Sequence, residues 1–394
     1  MRPMGRRQIG IATLLYLALV SCAGGAPRGS SAPSAAGAAP AQAAGAPAAA
    51  AAGASQAAPA HNAAVQQLID GARREGELNV ILSSSFFHGG DALPEIVQAF
   101  NAYYGLNTRV NRTVGPSMPQ MAARLIQEAQ AGKPPSTDLY HGSDEHIAMM
   151  LTADILQPVD WRALDDRIPA QAVAEKNVAV AYGTWYPGIT YNEQLVPASD
   201  VPRTLKDVLD PKWKGKIAST PYAAGFYRLA LSNEWGGDTT TAYVQQLADQ
   251  VGGLVRCGEF ERMLSGEFVM LALNCGVNVD QQQHADGKPI GFVIPADAIH
   301  ASYYAFAVPK GSAHPNTATL FALFMLTEEG QRLSYQADFL DLHLLPGSGT
   351  AALIQPLLDQ GNRLMGEDGM VQMSKYADES AKYERDLARI LAKQ

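Results

Sequence analysis

The chain changes character within Ala181-Tyr-Gly-Thr-Trp-Tyr-Pro-Gly-Ile-Thr-Tyr-Asn192. The first half of this segment continues an alternation of apolar side chains that is typical of a strand. Pro187 and Gly188 then interrupt the alternation, because proline removes a hydrogen-bond donor from a sheet and glycine weakens a strand interior. We therefore expect the chain to leave one sheet here and to enter a second one. Trp185 and Tyr186 would then lie at a hinge between two lobes, beside the cleft that the lobes enclose.

An αβ pattern precedes this crossing. Three apolar strand segments are each followed by a segment of helical periodicity. The expected strands are 77–85, 107–114 and 137–140, and the helices that follow them start near residues 91, 117 and 143. This order predicts a parallel sheet with helices on both of its faces.

Small residues, most of them serines, stand at the end of each of these three strands or just after it. They are Ser84, Ser85, Ser117, Gly142 and Ser143. In an α/β sheet the ligand binds beyond the carboxyl ends of the strands, and a helix that begins there offers free N–H groups to an anion or a carboxylate. The alternative is that Ser117 and Ser143 only cap their helices.

A second αβ pattern follows the crossing. Strands are expected at 217–219, 268–273 and 290–294, and a strand at 303–308 would return the chain to the first sheet. Residues 316–336 are predicted to form one helix, whose apolar part is too short to cross a membrane. A charged helix over 374–393 is expected to close the chain.

The N-terminal residues have the features of an export signal. Three arginines precede the uncharged apolar run 9–20, which suits the core of a signal peptide and is too short for a spanning helix. The run ends in Leu19-Val20-Ser21-Cys22, which resembles a bacterial lipobox. We expect Cys22 to be lipidated; the alternative is an ordinary cysteine near a cleaved signal.

Composition limits the class of partner. Residues 23–60 contain Ala, Gly, Pro, Ser and Gln with Arg28 as the single charge, which predicts a disordered tether. Without the three signal arginines the chain has 27 basic against 38 acidic side chains, a net charge of −11. Because there is no basic stripe, a nucleic-acid partner is not expected. No internal repeat indicates a structural array.

Two cysteines remain once Cys22 is assigned. Cys257 and Cys275 are an even pair in an exported protein, which favours a disulfide. Two buried thiols stay an open alternative, because the sequence gives no distance between their Cα atoms.

Five short motifs together resemble one protein family. They are Glu-Leu-Asn-Val-Ile-Leu (77–82), Gly-Ile-Thr-Tyr-Asn (188–192), Asp-Pro-Lys-Trp-Lys-Gly-Lys-Ile (210–217), Ala-Val-Pro-Lys-Gly-Ser (307–312) and Leu-Thr-Glu-Glu-Gly-Gln (326–331). Over residues 77–349 the chain resembles ABC-transporter solute-binding proteins with the type II periplasmic-binding-protein fold, and among them the ferric-iron-binding branch (solute-binding family 1). The resemblance implies an α/β fold of two lobes, each a sheet flanked by helices, joined by hinge strands. It also implies a solute in the cleft and its delivery to a membrane permease.

The resemblance has a chemical departure. Many members of the iron-binding branch hold ferric iron with two adjacent tyrosines after the strand equivalent to 269–273. Here those positions read Asn274-Cys275-Gly276-Val277-Asn278, and the pair Tyr303-Tyr304 falls on the returning strand. Ferric iron is a hard cation that prefers phenolate and carboxylate oxygens. We therefore expect an organic solute with an acidic group and neither metal nor cofactor; a ferric-iron site with a non-standard ligand set is the alternative.

Residues at the predicted cleft edges are the candidate solute contacts. Beyond the serines and the glycine named above, they are His88, Trp185, Tyr186, Tyr222, Gly225, Arg256, Asn274, Asn278 and Tyr303. Arg256 could pair with a carboxylate or a phosphonate in a bidentate way. Each aromatic residue, taken singly, could instead belong to the core.

Catalysis finds little support in the motifs. The sequence has no Gly-x-Ser-x-Gly elbow, no His-Glu-x-x-His and no phosphate-binding loop. His141 and His146 are five residues apart, so they do not share a helix face as an i, i+4 metal-binding pair does. We expect a binding protein rather than an enzyme.

The expected organisation has five parts. They are a signal peptide at 1–21, a lipidated Cys22 with its tether at 22–60, a first lobe at 61–185 and 299–345, a second lobe at 186–298, and a helical segment at 346–394 that packs on the lobes. The protein would be a monomer outside the cytoplasm, anchored to the membrane by its lipid, with a permease as its partner.

Overall fold

The computed structural model describes residues 61–84, 86–366 and 368–392. Within these residues the strands are β1 (Glu77–Leu82), β2 (Arg109–Val114), β3 (Tyr140–Ser143), β4 (Ala179–Trp185), β5 (Ile189–Asn192), β6 (Ile217–Ser219), β7 (Gly253–Leu254), β8 (Met270–Leu271), β9 (Ile290–Val293) and β10 (Ser302–Ala307). The helices are α1 (Ala63–Glu75), α2 (Leu93–Tyr104), α3 (Met118–Gln130), α4 (Asp144–Thr152), α5 (Trp161–Leu164), α6 (Leu205–Val208), α7 (Phe226–Leu231), α8 (Gly236–Ala248), α9 (Glu261–Leu264), α10 (Val277–Ala285), α11 (Pro315–Phe324), α12 (Glu328–Asp338), α13 (Gly349–Asp359), α14 (Gln372–Lys375) and α15 (Ala377–Leu391). None of the helices in these ranges combines the length and the apolar character that a membrane span requires. The predicted signal peptide, Cys22 and the tether lie outside the described residues.

The first lobe is built on strands β1 to β4 and the returning strand β10. β1 pairs with β2 in parallel, with Glu77 opposite Arg109. Leu139, just before β3, makes a parallel bridge to Val80. β10 lies between β3 and β4 and runs antiparallel to both. The parallel order of the first strands is confirmed, and so is the return of the chain to the first sheet.

The second lobe is a five-stranded sheet in the order β7-β6-β8-β5-β9. β4 ends at Trp185 in the first lobe, and β5 begins at Ile189 in the second. The predicted change of sheet at Pro187 and Gly188 is therefore confirmed. A Cβ atom on Gly188 would lie 2.8 Å from the carbonyl oxygen of Val293, so the crossing chain passes too close for any larger residue.

Each lobe has its own apolar core. The first core joins the strands of the first lobe to α1, α2, α3 and α11. The second core joins β5, β6 and β8 to α6, α7, α8 and α15. Full burial of an aliphatic or phenyl side chain contributes roughly 1.5–3 kcal/mol, so each sheet is held in place mainly by its own helices.

The C-terminal helices contact both lobes. α14 packs on α4 of the first lobe, whereas α15 packs on α7 and α8 of the second. The side chains of Leu387 and Leu391 on α15 are fully buried in the second core. The limits of the lobes and of the C-terminal segment that we gave from the sequence stay predictions.

Several predicted elements have the wrong limits. The third strand, expected over 137–140, is β3 (Tyr140–Ser143) and shares only its first residue with the prediction. The single helix expected over 316–336 is two helices, because the Thr327 side chain accepts a hydrogen bond from the Gly330 N–H at 3.1 Å and so caps a new helix. The strand expected over 268–273 is reduced to β8, since Leu273 has a φ of 47°, outside the strand region. The last helix begins at Ala377 rather than at 374, because Tyr376 departs from helical geometry with a φ of −118° and a ψ of 29°.

Candidate functional site

Two helices bring their first turns together between the lobes. α4 starts directly after β3 of the first lobe, and α7 starts soon after β6 of the second. Gly225, just before α7, has a φ of 77°, and a Cβ atom there would lie 3.0 Å from Cβ of Pro187. Ligands of α/β sheets bind at such strand ends. We call this region the seam; it consists of Asp144 and Glu145 on α4, Tyr227 and Arg228 on α7, and Trp185 at the end of β4.

A fully buried arginine joins the two sides of the seam. Arg228 donates from Nη1 to Oδ2 of Asp144 at 2.9 Å and from Nη2 to Oδ1 at 2.7 Å, which is a bidentate pair. Nη2 also donates to Oε2 of Glu145 at 3.2 Å, and Nε donates to the Tyr227 hydroxyl at 3.2 Å. The Tyr227 hydroxyl in turn donates to Glu145. The side chains of Arg228 and Asp144 are 0% and 1% exposed, so water does not screen this pair.

The charges of the seam stabilise one another. Burial is the largest single influence on the pKa of Glu145 and would raise it, but the charges of Arg228 and His146 and the hydrogen bonds from Tyr227 and Ser143 together hold that pKa below its ordinary value. Burial also opposes the charge of Arg228 and is again the largest single influence, yet Asp144, Tyr227 and Glu145 together raise the pKa of Arg228 well above its ordinary value. In the seam, one guanidinium therefore pairs with two carboxylates. Removing either sign would leave a buried charge without its partner, which is strongly unfavourable.

A row of rings leads from the first lobe to the seam. Phe86, which follows β1, stacks on His141 with ring centroids 3.8 Å apart. The ring centroids of His141 and Tyr304 are 5.5 Å apart, and those of Tyr304 and Trp185 are 5.9 Å apart. The Arg228 guanidinium carbon is 5.5 Å from the centre of the Trp185 ring, within the range of a cation–π contact. This aromatic row offers an apolar wall beside the charges of the seam.

Three buried polar atoms along the row and the seam have no partner. Trp185 Nε1, His141 Nδ1 and Asn278 Oδ1 find no hydrogen-bond partner within the described part of the chain. Burial lowers the pKa of His141 to about 3, so this ring is neutral near pH 7. A buried donor or acceptor left unpaired costs about 1–3 kcal/mol, and such groups are normally satisfied by protein or by water. The protein therefore keeps hydrogen-bonding capacity here that its own side chains do not use.

Unusual backbone conformations lie at the same strand ends. Phe87 and His88 follow β1 with φ angles of 52° and 50°, Ala223 precedes α7 with 52°, and Leu273 follows β8 with 47°. Asp338 holds the first two by accepting hydrogen bonds from their backbone N–H groups at 2.9 and 2.8 Å. Positive φ is uncommon for residues other than glycine and tends to persist at ligand-binding sites. The edges of both lobes that face the seam are therefore held in defined, strained shapes.

Several residues predicted from the sequence lie in the seam or beside it. They are Gly142, Ser143, Trp185, Gly225 and Asn278. The Ser143 hydroxyl donates to Oε1 of Glu145 at 3.1 Å and lies 2.8 Å from Nδ1 of His146. A Cβ atom on Gly142 would lie 2.3 Å from the Tyr140 hydroxyl, so this position has no room for a side chain. Ser143 therefore orients a seam carboxylate.

Other predicted residues bond elsewhere. Ser117 forms a capping box with Gln120 at the start of α3, as its alternative interpretation held. The exposed residues Ser84, His88 and Arg256 make no hydrogen bond to a seam residue within the described ranges. Ser85 lies outside the described residues. Ser84, Ser117, His88 and Arg256 are therefore not hydrogen-bonded to the seam within the described residues.

Asn274 fastens the crossing strand. Its Oδ1 accepts hydrogen bonds from the N–H groups of Gly188 and Gly276 at 3.1 and 2.9 Å. Its Nδ2 donates to Oγ1 of Thr190 at 2.7 Å and to the buried carboxyl of Asp280. All four hydrogen-bonding positions of this amide are thus filled from inside the protein. We infer that Asn274 holds the hinge in place and has no capacity left for a solute.

Neighbouring residues on β10 point to different environments because side chains alternate along a strand. Tyr304 belongs to the aromatic row, whereas the predicted contact Tyr303 lies 5.9 Å from the ring of His343. Tyr186, also predicted, is fully buried and lies 6.3 Å from the same histidine. The structure therefore groups Tyr186 and Tyr303 around His343 and brings Tyr304 toward the seam.

A disulfide closes the loop beside β8. Cys257 and Cys275 are bonded, with Cα atoms 5.7 Å apart. The Tyr222 hydroxyl, a predicted contact, accepts a hydrogen bond from the Cys257 N–H at 2.9 Å and lies 3.8 Å from Sγ of Cys275. Tyr222 thus packs on the bridge, immediately next to the Asn274 amide that fastens the hinge.

We expect this disulfide to contribute about 3 kcal/mol to stability, because it closes a loop with a sequence separation of 18 and so restricts the unfolded chain. Replacing both cysteines by serine should lower the free energy of unfolding by that amount in a denaturant titration under oxidising conditions. Adding a reducing agent should bring the parent protein to the stability of the variant. Equal stability of the two oxidised proteins would contradict the prediction.

The three charged residues of the seam were missed by sequence reasoning: Asp144, Glu145 and Arg228. Asp144 and Glu145 lie in the segment 141–146, whose most conspicuous feature is its two histidines. Arg228 is the single charged residue of the apolar segment 226–231, and a lone charge in a buried helix signals a buried partner. In the described part of the chain no group of three or more His, Cys, Asp or Glu side chains is arranged to hold a metal ion.

The curated proteins that are similar to this sequence include the following two. An uncharacterised protein of Haemophilus influenzae is 23% identical over 230 residues, which cover 55% of this chain and 65% of that protein, just under two thirds of its length. The major ferric iron-binding protein of Neisseria gonorrhoeae is 22% identical over 254 residues, which cover 61% of this chain and 74% of that protein.

Solved structures share the fold. The substrate-binding protein of an ABC transporter from Agrobacterium tumefaciens has a TM-score of 0.65 and 19% identity, and the match covers 81% of this chain and 96% of that one. The periplasmic binding protein AfuA from Actinobacillus pleuropneumoniae has a TM-score of 0.61 and 19% identity, with 81% and 99% covered. At these identities the likeness concerns the fold. The prediction of a two-lobed α/β fold of the type II periplasmic-binding-protein kind is confirmed.

The family model described as bacterial extracellular solute-binding protein matches residues 95–358, more than half of the chain. The matched span contains the crossing between the lobes and both helices of the seam. The chain belongs to the family of bacterial extracellular solute-binding proteins.

Proposed function

We propose that this protein is the solute-binding component of an ABC importer. It captures a small organic solute with an acidic group between its lobes and delivers that solute to a membrane permease. Lipidated Cys22 and the tether 23–60 keep it at the membrane surface, where it works as a monomer. Family membership supports binding of a solute outside the cytoplasm.

The observation that carries the proposal is the buried guanidinium of Arg228. Its planar set of donors matches a carboxylate or a phosphate group in a bidentate way. In this structure the Arg228 guanidinium binds the carboxylate of Asp144, which belongs to the opposite lobe. An acidic group of a solute can take the same position when the lobes separate and close again.

The surroundings of Arg228 favour an organic body behind the acidic group. Small-molecule sites combine apolar and aromatic walls with a few polar groups that fix the orientation. The aromatic row supplies such a wall through Trp185 and Tyr304, and Trp185 Nε1 is a donor without a partner among the described residues.

Solved relatives include a binder of such a solute. The AfuA structure holds fructose-6-phosphate, an organic anion. This similarity supports an acidic solute here without identifying it, since the shared identity is only 19%.

A ferric-iron carrier with a non-standard ligand set is the second candidate. The bond between the Tyr227 hydroxyl and Glu145 favours it, because it brings together the phenolic and carboxylate oxygens that ferric iron prefers. Against it, the position where the resemblance places a tyrosine pair carries Asn274 and Cys275, an amide with no free capacity and a disulfide sulfur. An acidic organic solute is the better match, because it accounts for both the Arg228 guanidinium and the aromatic row.

Thermal unfolding of the purified protein with succinate, citrate, pyruvate, fructose-6-phosphate and ferric chloride tests the proposal. A ligand that binds only the folded state stabilises it by about 2.7 kcal/mol at a 100-fold excess over Kd. We expect at least one acid to raise the unfolding midpoint and to bind one-to-one in calorimetry without being consumed. Fructose serves as the matched control for its phosphate ester and should have no effect.

A different pattern would contradict the proposal. If ferric chloride alone raised the midpoint, and a visible phenolate–iron band appeared that Tyr227→Phe removed, the iron candidate would replace the acidic solute.

A further inference from the structure

We propose that the solute of this protein is a small zwitterion, with an acidic group and an ammonium group joined by a short carbon chain. The inference rests on the proposed function and narrows its class of solute. It follows from the seam, where charges of both signs meet from opposite lobes: Arg228 from the second lobe, and Asp144 and Glu145 from the first.

A solute must divide the ion pair of the seam in order to enter between the lobes. Arg228 holds Asp144 through two hydrogen bonds of 2.9 and 2.7 Å and Glu145 through one of 3.2 Å. When the lobes move apart, the guanidinium leaves with α7 and both carboxylates leave with α4. The cleft then has a cationic wall and an anionic wall that face each other.

A solute with a single charge satisfies only one of these walls. A simple anion pairs with Arg228, but closure then confines Asp144 and Glu145 without a cation. A simple amine pairs with the carboxylates and confines Arg228 without an anion. Burying a charge without its partner is costly, so either closed complex is weaker than one in which both walls are paired.

A zwitterion replaces both halves of the ion pair at once. Its acidic group takes the place of the Asp144 carboxylate on Arg228, and its ammonium group takes the place of the guanidinium on Asp144 and Glu145. Every buried charge keeps a partner, so the closed state loses little by exchanging an internal pair for two pairs with the solute.

The remaining groups of the seam suit the same ligand. Trp185 Nε1 is a donor and Asn278 Oδ1 is an acceptor, and neither has a partner within residues 61–84, 86–366 and 368–392. Both residues approach Gly276, because a Cβ atom there would be 2.6 Å from Asn278 Oδ1 and 3.4 Å from Cβ of Trp185. Trp185 thus offers a donor for an acidic oxygen, and Asn278 offers an acceptor for an ammonium hydrogen. The Trp185 ring, which already faces the Arg228 guanidinium at 5.5 Å, can also face an ammonium group.

The competing interpretation is that the ion pair only ties the lobes together and never contacts a solute. In that case its charges set stability and leave the choice of ligand unaffected. Selectivity between solutes of different charge separates the two interpretations.

The test uses matched probes and calorimetry. The zwitterions are glycine, β-alanine, 4-aminobutanoate and 2-aminoethylphosphonate; the anions are acetate, propanoate, butanoate and ethylphosphonate; the amines are ethylamine, propylamine and butylamine. We expect at least one zwitterion to bind one-to-one, at least about 100-fold more tightly than the anion and the amine of the same chain length, since each of these leaves a buried charge unpaired.

A variant then assigns the selectivity to the seam. Glu145→Gln removes one negative charge from a side chain that is 35% exposed, so folding should tolerate it. The preference for the zwitterion over the matched anion should fall at least about 10-fold, chiefly because the anion gains affinity. Asp386→Asn, at an exposed pair with Lys382 on α15, is the control and should keep the preference of the parent protein.

The outcomes separate this inference from the proposed function. If anions bind as tightly as their zwitterions, or if Glu145→Gln leaves the preference unchanged, the zwitterion is overturned and the acidic solute stands. If no zwitterion binds, the inference is overturned, and binding of an acid from the earlier panel decides the proposed function. If ferric ion alone binds, both fail.

Discussion

Replacing Arg228 with methionine should lower the free energy of unfolding by about 3–5 kcal/mol. Methionine has a similar length and no charge, so Asp144 would be left buried without its cation and Glu145 would lose one of its hydrogen bonds. Both side chains of the Arg228–Asp144 pair are at most 1% exposed, and water cannot take over from the guanidinium. A urea titration followed by circular dichroism at neutral pH measures the loss.

The matched control is Arg262→Met. Arg262 pairs with Glu267, and the two side chains are 40% and 50% exposed, so we expect a loss of less than about 1 kcal/mol. Adding Asp144→Leu to Arg228→Met should recover part of the stability, because it removes the stranded carboxylate. Similar small losses for Arg228→Met and Arg262→Met would show that the seam is open to water in solution.

Acidification should destabilise the protein through buried histidines. Burial lowers the pKa of His141 and of His300 to about 3 and the pKa of His343 to about 4. A histidine of the unfolded chain titrates near 6.5, so below that pH the unfolded chain binds more protons than the folded one. Stability is therefore lost from pH 6.5 downward, by up to about 1.4 kcal/mol per pH unit for each histidine. Asp280 acts in the opposite sense, because burial raises its pKa well above the ordinary value and the folded state takes up that proton first.

The contribution of one histidine is isolated by His141→Gln, which retains a polar partner for the Tyr182 hydroxyl that now lies 3.0 Å from Nε2. Between pH 6.5 and 4.5 the difference in unfolding free energy between the parent protein and the variant should change by about 2–3 kcal/mol. Parallel curves for the variant and the parent protein would contradict the prediction, because they would mean that His141 takes up its proton at the same pH in the folded and the unfolded chain.

The fold followed from local signals. Pro187 and Gly188 interrupt a strand, and the structure changes sheet between Trp185 and Ile189. Gly105 ends α2 in the left-handed conformation, and Ser117 with Gln120 begins α3 as a capping box. These features depend on residues within one turn or one strand of each other, so the sequence contains all the information they need.

The seam depended on contacts that the sequence does not display. Arg228 and Asp144 are 84 positions apart, and only the meeting of α4 with α7 brings them within hydrogen-bonding distance. Asn274 looked like a solute contact because it occupies the position of a familiar ligand pair, yet its amide is filled by the hinge backbone and by Thr190 and Asp280. Tyr303 was the expected contact and not its neighbour Tyr304, whose ring lies near Trp185, because the face of β10 on which each residue lies depends on strand register.

The last two helices, α14 and α15, pack against the two helices of the seam. α14 rests against α4, which carries the seam carboxylates, and α15 rests against α7, which carries the guanidinium. Because α14 and α15 follow each other directly in the chain, the two sides of the seam are also connected through the C-terminal segment. A substitution that loosens either helix should therefore alter the stability of both lobes together.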